Sequence, residues 1–266
     1  MLQKLRCYDS YVQLPALLEL QSPRTPPSDR PTWAAERFFI ICHQTSELCL
    51  SQVLLDLRLA AELSTTRSDW RAVRTSLSRA ASLTLLLARV LAELAAACPR
   101  SAFSRFRTSL QGTSASESSQ FNEFLRLLDG SHVDLATIRS ALRGTSACTA
   151  PDTTEACSAT DERAASAHTL ELLLRGVAVW RALHIAVTKH FIANLPGTGG
   201  TLGVRYLSRR FAEATHTAQS AATAERDGVL EAAAEALEAS AIEELLSSLR
   251  GLETELRQCV PANGED

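Results

Sequence analysis

HTLELLLRGVAVWRALHIAVTKHFIANL, residues 168–195, contains one glycine and no proline. Its residues Leu173, Val177, Trp180, His184, Val187 and Phe191 follow steps of three and four and so share one face of a helix. That period excludes a strand, which alternates every second residue. His190 stands six residues beyond His184, about 240° round the helical wheel, beside Lys189 and on the side of Arg181. The pattern therefore turns His184 inward and His190 outward. An imidazole inside an apolar stripe is either a metal ligand or a core histidine bonded to a carbonyl, and spacing alone leaves both open.

The rest of the chain agrees with the helical reading. Of 266 residues 45% are hydrophobic and only 5% aromatic. Alanine and leucine therefore carry the apolar fraction, and they favour helix where β-branched and aromatic residues favour strand. The expected class is all-α, one helical domain over 1–266 large enough to bury a flat cofactor. Basic and acidic residues, 27 and 30, are mixed along the chain for a net charge of −3. No basic block is present to bind nucleic acid or a membrane surface. The most apolar run, 83–98, holds Arg89 and Glu93 and reads as a buried helix, shorter than the roughly 20 residues that span a bilayer. The opening MLQKLRCYDS lacks the order of a signal peptide, so a cytoplasmic location is expected. Seven cysteines with no CxxC pair predict free thiols.

Residues 22–31, SPRTPPSDRP, hold four of the nine prolines and must be a loop. A helix is expected over 33–63, where Phe39, His43, Ser46, Leu50, Val53 and Leu57 keep helical spacing. A second is expected over 69–98, stopped by Pro99 and paired with the first as an antiparallel hairpin. Beyond it, the spacing predicts a helix, a small-residue loop over 112–116, and another helix ending at Gly130. Residues 144–160 read as a surface loop, and 161–194 as the helix carrying His184. The turn LPGTGGT and helices near 204–218 and 223–259 complete the chain.

His43 repeats the arrangement of His184 on a second helix. Two histidines on two apolar faces are less ordinary than one, and a proximal histidine with another across a pocket is a common way to hold haem iron and leave room for O2. Alternatives fit worse: there is no HExxH, no Glu-x-x-His pair of the di-iron kind, and no carboxylate beside either histidine in the sequence. The glycines of PGTGGT, 196–201, free the backbone to approach an anion but lack the spacing and lysine of a P-loop, and a helix cap explains them equally. Arg107, in SRFRTSL, is either solvated or a bidentate clamp for a carboxylate.

Taken in order, FFIICHQTSEL (38–48), WRALHIAVTKHFIANLPGTGGTLGVRYL (180–207) and YDSYVQLPALLELQSP (8–23) resemble the distal-histidine helix, the proximal-histidine helix with its glycine-rich loop, and the N-terminal segment of the tryptophan 2,3-dioxygenase superfamily. The resemblance implies a helical bundle enclosing b-type haem, with His184 on the iron and His43 facing the indole N–H. Phe39, Tyr8, Tyr11 and Val12 would wall the indole. Arg107 would bind the substrate carboxylate and Thr198 its ammonium. It further implies a homotetramer in which residues 1–31 contribute to a neighbouring subunit, and oxidation of tryptophan by O2 to N-formylkynurenine. Two departures stand out. Phe103 occupies the place of a tyrosine that assists the carboxylate clamp, and GTSASES (112–118) replaces a glycine-rich loop, with Ser114 at the pocket serine. These favour, as an alternative, a monooxygenase acting on tryptophan or a methylated tryptophan. A helical haem sensor without catalysis is the reading that needs neither Arg107 nor Thr198.

Overall fold

A computed structural model describes residues 7–66, 69–110, 117–144, 154–192, 195 and 239–259. The chain is all-α: every element is helical, and no strand occurs among the described residues. Two short helices, α1 (Tyr8–Tyr11) and α2 (Leu14–Glu19), precede the proline loop. The long helices α3 (Arg30–Thr66) and α4 (Trp70–Ala97) overrun or match their expected limits within a turn. Asp69 caps α4 by accepting the Ala72 N–H at 3.1 Å, satisfying one of the donors that a helix start leaves free. Then follow α5 (Arg100–Phe106), a 3-10 turn (Arg107–Leu110), α6 (Ser119–Asp129), α7 (Val133–Arg143), α8 (Thr154–Ile192) and α9 (Ala239–Cys259).

The reading of 144–160 as a loop is corrected from Thr154 onward, where α8 already runs. Alanine and glutamate in TEACSAT favour helix, and adding residues to a helix that is already nucleated costs little. The short helix α7 was not anticipated; its Leu135 and Ile138 are fully buried three residues apart. Gly130 ends α6 where expected, in the left-handed region at φ 72°. The loop at 112–116, the LPGTGGT turn apart from Leu195, and the helix near 204–218 lie outside the described residues, and only the 239–259 part of the last expected helix lies within them.

The hairpin α3–α4 forms as expected, and α8 lies along α4 with α9 against both; α5, α6 and α7 pack on α3. Gly176 of α8 faces α4, where an added Cβ would come into ordinary contact with Thr84 Cγ2 at 3.4 Å. By length and composition α3 and α4 could each cross a membrane, whereas the most apolar run, 83–98, was expected to be too short to do so; both pack lengthwise in the bundle. The stripe of α8 is buried at Leu173, Val177, Trp180, Val187 and Phe191, while His184 is only half-buried. Cys7, Cys42, Cys49, Cys98 and Cys259 are free thiols.

One ion pair crosses the hairpin. Asp56 is 1% exposed and takes the Arg79 Nε–H at 2.9–3.0 Å, whereas Arg79 is 48% exposed. Arg79→Ala should cost about 3 kcal/mol, because it strands a buried carboxylate. Asp56→Ala should cost only about 1 kcal/mol, because the freed guanidinium turns to water. Urea unfolding of both variants checks the asymmetry; equal losses would contradict it.

Candidate functional site

His43 and Phe39 lie one turn apart on α3, with ring centroids 4.0 Å apart. His43 Nδ1 is 2.8 Å from the Phe39 carbonyl oxygen. A carbonyl only accepts, so Nδ1 carries the proton and Nε2 of the neutral ring keeps its lone pair. Burial lowers the His43 pKa against the opposing pull of that carbonyl and of Glu47. Yet the ring is open to water. His43 is therefore not part of a sealed core.

His184 sits on α8, half-buried, with Trp180 stacked beneath it at 5.4 Å and 13°. Phe121 of α6 meets its edge at 5.6 Å. Burial, then Arg181, then His43 hold its pKa down to about 4, so its imidazole is unprotonated near neutral pH. The influence of His43 shows that α3 and α8 bring the two rings within electrostatic reach of one another. Both imidazoles are thus shifted toward the neutral form, one on each helix.

Phenylalanines join the two sides. Phe103 touches Phe39 at 5.8 Å, Phe106 at 5.3 Å and Phe191 at 4.8 Å, and Phe106 also meets Phe39 at 5.4 Å. Of these Phe106 was not singled out by sequence, though it follows Phe103 at helical spacing, and Phe121 was missed because its helix carried no histidine. Arg107 is half-buried at the start of the 3-10 turn, next to Phe106, its N–H donating to the Phe103 carbonyl. Arg107 thus follows Phe103 by one helical turn, at the point where the α-helix passes into the 3-10 turn.

Glu47 corrects the expectation that no carboxylate accompanies the histidines. One turn beyond His43, it accepts Ser118 Oγ–H at 3.0 Å and the Gln120 side-chain N–H at 2.9 Å. Ser118 in turn caps α6, accepting the Phe121 N–H at 3.1 Å. The His43 turn is thereby tied to the helix that places Phe121 on His184. Arg181 is corrected too: it is 4% exposed rather than outward, and His190 is half-buried, edge-on to Phe191 at 5.1 Å. His132 is buried elsewhere, at the α6–α7 junction, 3.7 Å from Glu123.

Tyr8 and Tyr11 are 71% and 83% exposed and Val12 is half-buried, and among the described residues neither tyrosine makes a ring contact with the aromatic cluster. Ser114 and Thr198 lie outside the described residues.

The donor set fits a metal that brings most of its own ligands. Among the described residues no three His, Cys, Asp or Glu side chains come together, as a site built only from side chains would need. Haem iron needs a single protein nitrogen, flat apolar walls and space on the opposite side. His184 offers the nitrogen and the phenylalanines the apolar walls, with the exposed His43 as a polar group on the neighbouring helix. Thiolate ligation is disfavoured at Cys42, beside His43, because burial, Cys98 and Glu93 push its pKa up to about 11.

No family model matches the chain. A curated relative, the tryptophan 2,3-dioxygenase of Arthrobacter sp. (strain FB24), is 36% identical over 114 residues, which cover 43% of this chain and 38% of that protein. The chain thus matches well under half the length of that relative, and the similarity suggests the superfamily without assigning membership.

Proposed function

We propose that the chain is a haem-dependent oxygenase that oxidises the indole ring of tryptophan or a substituted tryptophan with O2. The observation that carries this reading is the fixed tautomer of His43, whose exposed ring keeps a lone pair on Nε2, together with the unprotonated imidazole of His184. In this reading His184 holds the iron of b-type haem, which supplies the O2 binding and redox chemistry. His43 Nε2 accepts the indole N–H, and Phe39 packs on the ring. Arg107 takes the substrate carboxylate, with Ser114 and Thr198 completing the polar end. Orientation is the protein's contribution, and fixing the indole beside the bound oxidant can lower the barrier by several kcal/mol. The partial match to a protein named tryptophan 2,3-dioxygenase supports the same substrate class. We further propose a homotetramer, in which the exposed Tyr8 and Tyr11, with Val12, complete a neighbouring pocket.

A substrate analogue methylated at the indole nitrogen tests the role of His43. The wild-type protein loaded with haem should bind it about tenfold more weakly than L-tryptophan, the worth of one buried hydrogen bond. His43→Ala should keep haem and lose the discrimination. Equal binding of the two ligands by the wild type would remove His43 from the indole.

A further inference from the structure

The proline loop that leads into α3 does more than connect two helices. The Glu36 carboxylate, 1% exposed, accepts the Arg24 N–H at 2.9 Å and the Thr25 N–H at 2.8 Å. Gln44 fastens the other end, donating to the Leu20 carbonyl at 3.0 Å and accepting from the Gln21 side chain at 2.9 Å. Glu36 and Gln44 flank the turns of α3 that carry Phe39 and His43, so the segment from 20 to 25 is laid along the wall of the candidate site. Pro23, Pro26 and Pro27 restrict its backbone in advance. From this strap the Arg24 guanidinium donates to the Ser109 carbonyl, in the 3-10 turn that begins with Arg107. Carbonyls at the end of a helical turn have no partner within it, and a cation there also suits the helix dipole. The Ser109 hydroxyl closes the same turn onto the Phe106 carbonyl at 2.6 Å.

We propose that Arg24, held by Glu36, is a positioning residue for Arg107, fixing the turn from which Arg107 meets the substrate carboxylate. The inference rests on the carboxylate role given to Arg107 above. Arg24 touches no substrate. It converts the anchoring of the loop on α3 into a fixed distance between the indole end of the site, on α3, and the carboxylate end, on the 3-10 turn.

The full chain loaded with haem, titrated with L-tryptophan and with tryptamine, which lacks the carboxylate, tests this. Arg24→Ala should weaken L-tryptophan by about three- to tenfold, leave tryptamine within about twofold, and leave hemin affinity unchanged. Arg24→Lys should recover part of the loss, because an ammonium also donates to a carbonyl. Amide hydrogen exchange over 106–110 should quicken in Arg24→Ala, and Glu36→Gln should shift exchange and affinity in the same directions. Equal weakening of both ligands, or unchanged exchange over 106–110, would overturn the proposal. If Arg107→Leu separates the ligands and Arg24→Ala does not, the positioning role fails while the role of Arg107 stands. If Arg107→Leu fails to separate them, the carboxylate reading falls and this proposal falls with it.

Discussion

His184→Ala is expected to lose tight haem binding, with affinity for hemin falling by roughly a hundredfold or more. Changes to groups that merely orient a ligand already cost about ten- to a hundredfold in metal affinity, and here the ligand itself is removed. The surroundings of His184 sharpen the expectation. Its imidazole is already unprotonated near neutral pH and is held between Trp180 and Phe121, so binding a metal requires neither loss of a proton nor a search for a rotamer. Trp180 and Phe121, packed on the His184 ring, offer no ligating lone pair, and Cys42 is held protonated, so none of these three replaces the lost nitrogen. Hemin titration followed at the Soret band measures the effect. His43→Ala is the control, and it should bind hemin as the wild type does. A wild-type spectrum and affinity in His184→Ala would show that the iron ligand lies elsewhere.

Arg107→Leu should weaken L-tryptophan by ten- to a hundredfold and abolish discrimination against tryptamine, since a charge-assisted hydrogen bond contributes about 1.5–3 kcal/mol. Phe103→Tyr probes the same end of the site. Phe103 is 6% exposed and surrounded by Phe39, Phe106 and Phe191, so a hydroxyl added there must either reach the substrate carboxylate or be buried without a partner. In the first case L-tryptophan binds more tightly. In the second, binding of any ligand that fills the pocket drops by about 1–3 kcal/mol. No change in either direction would place position 103 outside the site.

The helical class and the long helices were legible because hydrophobic spacing persists over many turns, as in Leu173 to Phe191 on α8. The inward turn of His184 followed from the same stripe. What escaped has specific physical causes. The first turns of α8 look like a loop because TEACSAT is small and polar, yet those residues ride on a helix whose stability comes from packing further along. Arg181 was placed outside on charge alone, but a long aliphatic stem lets arginine lie in a buried position. Glu47 and Glu36 act through hydrogen bonds to residues far away in the chain, Ser118 and Gln120 for one and Arg24 and Thr25 for the other. Spacing along a single helix carries no trace of such partners. The exposure of Tyr8 and Tyr11 likewise has no account among the described residues.

The mass of the product formed from L-tryptophan under 18O2 by the haem-loaded, reduced protein tests the central claim most directly. The account predicts an oxidised indole carrying label from O2. Two labelled oxygens would mark ring cleavage to N-formylkynurenine, which consumes no further electrons. One labelled oxygen, with turnover dependent on added reductant, would mark the monooxygenase form of the same reading. If L-tryptophan and its methylated derivatives return with unchanged mass while haem is bound at His184, the oxygenase account is contradicted and the chain is a haem-binding protein of another kind.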